Sequence, residues 1–306
     1  MRTAALILCL SMLAGCDVVD QDGLFHCQQS IQNQFPAPGT PNAFGAGWIV
    51  IDLNCPAHQP RLEVQPQQGA AWELPVELAQ DGRQLRARPA IALSPEARFL
   101  LELNDEPLRE AWLLLTNSLG GPLSYDLGGH SEELLLDQGR LLSPQSLEPT
   151  LLDRLSAVRP VISFLNSGSS TTVPVRIGGL QNETEQQDPD WPTSDHNLDW
   201  AAPYFSGRAI ELRLPLASWD LIIEDVQLEG APHPVQGGIG SISIQGLWDT
   251  RGADPALGGS PGALCQFAEE QQGMACQACG DGVLACLDLL LVDIPTQRWP
   301  DALAPG

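Results

Sequence analysis

Cys265, Cys276, Cys279 and Cys286 stand in the spacing C-x10-C-x2-C-x6-C within a chain of 306 residues. Sulfur clustered in this way can ligate a metal, exchange disulfides or crosslink a fold. Zinc ribbons use two C-x-x-C knuckles, and only Cys276–Cys279 makes one here. A c-type haem site needs His directly after the second cysteine, where Gly280 stands. A redox thiol gains its low pKa at a helix N-terminus that follows a strand. "QFAEEQQGMA" before Cys276 reads instead as a polar helix ending at Gly273, with no strand leading in. Spacing therefore weighs against metal and redox chemistry, and the compartment decides the case for crosslinks.

A second group of residues offers oxygen ligands. Asp188, Asp190, Asp195 and Asp199 lie close together in "QNETEQQDPDWPTSDHNLDWAAPYFSG". Hard oxygens spaced by turns suit Ca²⁺, although the D-x-D-x-D-G pattern is missing and Pro189 and Pro192 stiffen the segment. Trp191, Trp200 and Tyr204 in the same stretch can stack on a sugar or a protein surface. The expectation is a solvated polar loop with its aromatics turned back onto a sheet; Ca²⁺ binding and ligand contact are the alternatives, and no other cofactor is expected. No G-x-S-x-G, H-E-x-x-H, P-loop or dinucleotide fingerprint occurs. The five histidines, His26, His58, His130, His196 and His233, are far apart.

The opening residues, "MRTAALILCLSMLAGC", set the compartment. Arg2 and the apolar Ala4 to Leu13 make a secretory signal, too short to span a bilayer as a helix. Leu13-Ala14-Gly15-Cys16 resembles the lipobox of bacterial lipoproteins. The resemblance implies removal of residues 1–15, lipidation of Cys16 and anchoring in a cell-envelope membrane, with the rest of the chain in water. Cys9 leaves with the signal, and six cysteines remain: Cys27, Cys55, Cys265, Cys276, Cys279 and Cys286. An even number in an oxidising compartment reads as disulfides. The simplest pairing joins Cys27 to Cys55 and makes two bonds among the last four, whose three connectivities stay open. The last four then act as a structural clasp.

Net charge is -23, with every basic side chain an Arg. Such acidity disfavours nucleic acid and anionic head groups. Residues 16–43, which run into the proline-rich "FPAPGTPNAFG" (35–45), read as a semi-rigid tether. Residues 44–127 show strand runs at a spacing of about ten residues, as in a β-sandwich, with a hairpin in "WELPVELAQDGRQLRARP" turning at Asp81-Gly82. The order "DGRQLRARPAIALSPEARFLLELN", with Asp81, Gly82, Leu85, Pro89, Leu93, Pro95 and Phe99 in place, resembles bacterial Ig-like domains of surface-layer and secreted proteins. That resemblance implies a spacer or adhesive module.

Residues 128–306 read as a second, β-rich α+β domain with a disulfide-stapled C-terminus. Its clear helix puts Leu147, Leu151, Leu152, Leu155 and Val158 on one face, capped by Ser143 and stopped by Pro160. The chain is expected to be mainly β. Its expected role is that of a lipid-anchored envelope protein that binds or scaffolds a protein or glycan partner without catalysis. An envelope enzyme acting on glycan and a Ca²⁺-stabilised adhesin are the alternatives.

Overall fold

The computed structural model describes residues 18–19, 25–26, 29–35, 47–57, 59–66, 69–79, 82–90, 98–103, 106–114, 128–165, 172–181, 184, 186–201, 204–216, 218–232, 239–257, 259–272 and 274–305. The expected signal segment, Cys16, Cys27, Asp81, Leu93 and Pro95 lie outside them. The protein is mainly β and divides into two compact units, one built on Trp48–Thr116 with the strands before it, the other on Asn117–Gly306.

In the first unit the strands are β1 (Val18–Val19), β2 (Phe25–His26), β3 (Ile31–Phe35), β4 (Ile49–Leu53), β5 (Arg61–Gln65), β6 (Trp72–Leu74), β7 (Val76–Leu78), β8 (Gln84–Ala87), β9 (Arg98–Leu103) and β10 (Glu106–Leu114). β1 pairs with β2 in a two-stranded sheet, and the other eight form two four-stranded antiparallel sheets, β3-β4-β8-β7 and β10-β9-β5-β6, a sandwich-like arrangement. Alternation places Leu62 and Val64 inside while Arg61 and Glu63 face outward. The expected hairpin is present: Leu78 registers with Leu85, and Gly82 takes φ +68° in the turn. Pro75 splits the run before it, so that β6 joins one sheet and β7 the other. Part of the expected tether is also a strand: Ile31–Phe35 pairs with β4, because I-Q-N-Q-F carries apolar residues at both ends of a period-2 pattern.

The second unit holds β11 (Ser131–Leu134), β12 (Arg140–Ser143), helix α1 (Glu148–Leu155), β13 (Arg159–Phe164), β14 (Thr172–Leu180), β15 (Ser194–Ala201), β16 (Tyr204–Pro215), β17 (Asp220–Pro232), β18 (Ile239–Asp249), helix α2 (Ala263–Gln272), β19 (Gln277–Ala278), β20 (Leu284–Ile294) and β21 (Thr296–Trp299). These strands make one antiparallel sheet in the order β12-β20-β18-β17-β16-β15-β14-β13-β11-β21, with β19 beside β20. Both ends of that path are continuous in sequence. Only Pro295 separates β20 from β21, and one short 3₁₀ turn separates β11 from β12. The ladder between the two kinked strands runs on through Leu135 N–H donating to the Pro295 carbonyl at 3.0 Å. The sheet therefore curls until its ends meet, and the ring closes.

The interior is filled by one apolar cluster that includes Ile162, Phe164, Val175, Phe205, Ile223, Ile242 and Ile294. Phe164 and Phe205 meet edge to face at 5.8 Å, a favoured aromatic geometry. Helix α1 plugs this core with Leu151 and Leu155, followed by Val158, while Leu147 and Leu152 are half-buried against it. That is the face expected from the sequence. Its start differs: Ser143 belongs to β12, and the helix begins at Glu148 with Pro149 in its first turn and no side-chain cap. Glu148 instead accepts a hydrogen bond from Leu141 N–H at 3.1 Å. Among the described residues, no helix is long and apolar enough to cross a membrane.

Candidate functional site

The cysteine cluster forms two disulfides, Cys265–Cys276 and Cys279–Cys286, with Cα separations of 5.7 and 5.2 Å. Cys55 is disulfide-bonded too; its expected partner, Cys27, lies outside the described residues. The first bond fixes α2 to the irregular segment that leads into β19, and the second closes the β19–β20 turn. The surrounding apolar clusters are small: Cys265, Ala268 and Leu287 in one, Cys279, Ala285 and Cys286 in the other. The sulfurs thus supply much of the local core.

Polar groups complete the clasp. Asp254 is fully buried, and its carboxylate accepts from Leu264 N–H at 2.8 Å and from Gly262 N–H, satisfying donors that a helix N-terminus leaves open. Thr250 Oγ1 donates to the Ala285 carbonyl at 2.9 Å. Arg251 bridges Asp249, at 2.7 and 2.9 Å, to Asp281. Burial pushes the Asp249 carboxyl up, but hydrogen bonds from the Arg251 side chain and backbone outweigh it and hold the pKa below the ordinary value. Among the described residues one group of three has metal-ligand proximity, Glu224 with Cys279 and Cys286. Both sulfurs are committed to each other, and Glu224 accepts from Gly280 N–H at 2.6 Å, so the group is part of the clasp.

The acidic segment differs from the expected loop. Ser194–Ala201 is strand β15, paired with β14 over Ser194 to Asp199 and with β16 over Asp199 to Ala201. His196, Leu198 and Trp200 point one way and Asp195, Asn197 and Asp199 the other. This alternation is hard to see when the inward residues include a histidine. Asp195 is held by Arg176 in a two-point contact at 2.6 and 2.8 Å, and the guanidinium lowers its pKa. Asp188 turns back to accept from Asp190 N–H at 3.0 Å. The four aspartates are not gathered around a common point.

The aromatics are drawn inward. Trp191 is buried with its ring on Gly179, where a Cβ would lie 1.7 Å from the indole. Trp200 is half-buried against the core. The Tyr204 side chain lies outside the described residues. Beside them, His196 bonds Ser194 Oγ at 2.8 Å, and burial lowers its pKa. It lines an apolar cleft with Leu198, Gly207, Arg208, Glu211 and Leu212, and the free space there is about 20 Å³, room for a single water.

A polar groove opens on the outer face of the ring. Arg208 on β16, Asp225 and Gln227 on β17, Gln245, Gly246 and Leu247 on β18, and Asp288 on β20 line a groove of about 270 Å³. Register explains their convergence: Arg208 opposes Gln227, Gln227 opposes Gln245, and Leu247 opposes Asp288. Asp225 sits at a bulge between Glu224 and Gln227 with φ +48°, a conformation that aspartate tolerates better than most residues. Bulges re-aim side chains in this way. Gln227 is held by buried Glu229, donating from Nε2 to Oε1 at 2.7 Å. The side chains of Arg208, Asp225, Gln245 and Asp288 have no partner among the described residues.

These groove residues were not singled out from sequence. Two signals were present: Asp225 breaks the apolar alternation of "LIIEDVQL", and Asp288 is the lone charge in "LACLDLLLV". Neither a protein-family model nor a curated protein matches the chain. Among solved structures, the crystal structure of the S-layer protein rSbsC aligns with 8% identity and a TM-score of 0.22, covering 67% of this chain and 38% of that one. So slight a likeness carries no weight for fold or function.

Proposed function

We propose that this chain is a lipid-anchored cell-envelope protein, held by Cys16, whose second unit binds or scaffolds a partner without catalysing a reaction. The observation that carries the binding role is the contrast between the two faces of the ring. The inner-face cleft beside His196 leaves room for about one water, whereas the outer face opens a polar groove in which four side chains have no partner among the described residues. A closed, disulfide-clasped sheet holds such a surface rigid, which lowers the entropy lost on binding. The lipobox and the disulfides support an extracytoplasmic address. The Ca²⁺-stabilised alternative has less support, because Asp195 is engaged by Arg176 and Asp188 by the backbone.

Anchoring is tested with the full chain expressed in a bacterium supplied with radiolabelled palmitate. Wild type is expected to carry label and sediment with membranes, and Cys16→Ser to lose the label and appear in the soluble fraction. Label retained in Cys16→Ser would overturn the anchor.

A further inference from the structure

We infer that the outer-face groove is a saccharide-binding site that takes a neutral or amine-bearing sugar ring. This rests on the binding role proposed above and names the ligand class. The groove presents one guanidinium, two carboxylates and two carboxamides around Leu247. A sugar ring displays hydroxyls that both donate and accept, set around an apolar C–H surface. Carboxylates accept from hydroxyls, a guanidinium donates to them, and carboxamides do both. Leu247 supplies contact for the C–H face.

The charge narrows the class. Arg208 against Asp225 and Asp288 leaves the groove net negative, on a chain of net charge -23. Uronate, sulfated and phosphorylated sugars are repelled, while neutral sugars are tolerated and protonated amino sugars favoured. Size agrees: about 270 Å³ falls just under the roughly 300–1,000 Å³ span of small-molecule pockets, which suits a ring better than a long buried chain.

Two other occupants fit less well. An extended peptide added to a sheet needs a free strand edge, but β17 and β18 are each paired on both sides where the groove crosses them. A Ca²⁺ ion needs six to eight oxygens, and the Arg208 guanidinium lies in the same groove. The lining is also preorganised: it spans four adjacent strands, the Asp225 bulge sets one carboxylate, and Glu229 fixes Gln227.

The test is isothermal titration of the full chain in a zwitterionic, sugar-free detergent with chitotriose, its deacetylated trimer and trigalacturonate. Saturable binding of chitotriose or the deacetylated trimer is expected, with trigalacturonate at least tenfold weaker. The double variant Asp225→Asn/Asp288→Asn should lose at least tenfold in affinity with an unchanged melting temperature, and Gln245→Ala should weaken binding without touching charge. Silence with both favoured trimers, or equal affinity in the double variant, would overturn the site and leave the Cys16 anchor standing. Shortening of the bound trimer that disappears in the double variant would support the site and overturn the non-catalytic role.

Discussion

The two units bury apolar surface in different ways. The first stacks short strands into two four-stranded sheets, each with two ends. The second joins its sheet's ends through Pro295 and the β11–β12 turn, so its main core is enclosed by a ring. Yet the ring unit carries the greater share of the sulfur seen in place. Its two disulfides sit in the appendage made of α2, β19 and the start of β20, where the apolar clusters are small. Crosslinks are concentrated where a segment has little core of its own, as in small secreted domains.

The largest expected effect is on the ring core. Phe164→Ala empties a buried site against Phe205 and is expected to cost the second unit about 3–5 kcal/mol. Urea unfolding followed by hydrogen exchange should show the loss in Arg159–Phe164 and its neighbours, with Ile49–Leu53 unchanged; an equal loss in both would erase the distinction between the units. Next in size, each clasp disulfide closes a short loop and is expected to contribute about 2–3 kcal/mol. Cys265→Ala/Cys276→Ala should expose α2 to proteolysis while the ring amides stay protected. Global unfolding would instead make the clasp part of the ring's own core.

A smaller effect is expected at the Asp249–Arg251 contact. Arg251→Met should cost about 1–2 kcal/mol at pH 7, discounted because the arginine is partly exposed. Asp249 has its pKa lowered in the fold, so its contribution is full above the ordinary aspartate value and fades as pH falls through the depressed one. The gap between wild type and Arg251→Met in chemical denaturation should therefore narrow as pH falls below about 4, the ordinary aspartate value; a gap that does not narrow there would mean the arginine acts by packing.

The smallest effect has the opposite sign. Glu132 faces the ring interior, with Oε1 unpartnered, and burial raises its pKa against weaker lowering by Thr296 and Arg298. Its stabilising contribution is complete below the ordinary glutamate pKa and is lost as pH rises through the elevated value. Glu132→Gln should raise the melting temperature at pH 8 and leave it unchanged at pH 4. Neighbouring Glu133, paired to Arg159 at 2.7 and 2.9 Å on the other face, should be destabilised by the same change at pH 8.

Local chemistry was legible in the sequence. The Leu151/Leu155 stripe, the Gly82 turn, the polar helix before Cys276 and the disulfide character of the last four cysteines all follow from period, turn propensity and compartment. Two kinds of feature were not. Strand β15 hides its alternation because His196 points inward and the preceding prolines suggest a loop. The groove draws Arg208, Asp225, Gln245 and Asp288 from four strands, and only register brings them together. Ring closure is equally non-local, since nothing near Ser131 announces that its partner is Trp299.

That closure has a consequence for how the chain folds. The meander from β13 to β18 pairs each strand with its neighbour, so it can form as it is made. The ring cannot shut until β20 and β21 arrive, because they alone join β18 to β12 and β11. Contacts of such long sequence separation are slow to form, and until then β18 presents an unpaired edge of the kind that templates aggregation. The segment that ends this exposure also carries Cys286, one end of the second disulfide. Oxidation of Cys279–Cys286 and closure of the barrel are therefore events on the same strand, and the order in which they occur sets how long the open intermediate must survive.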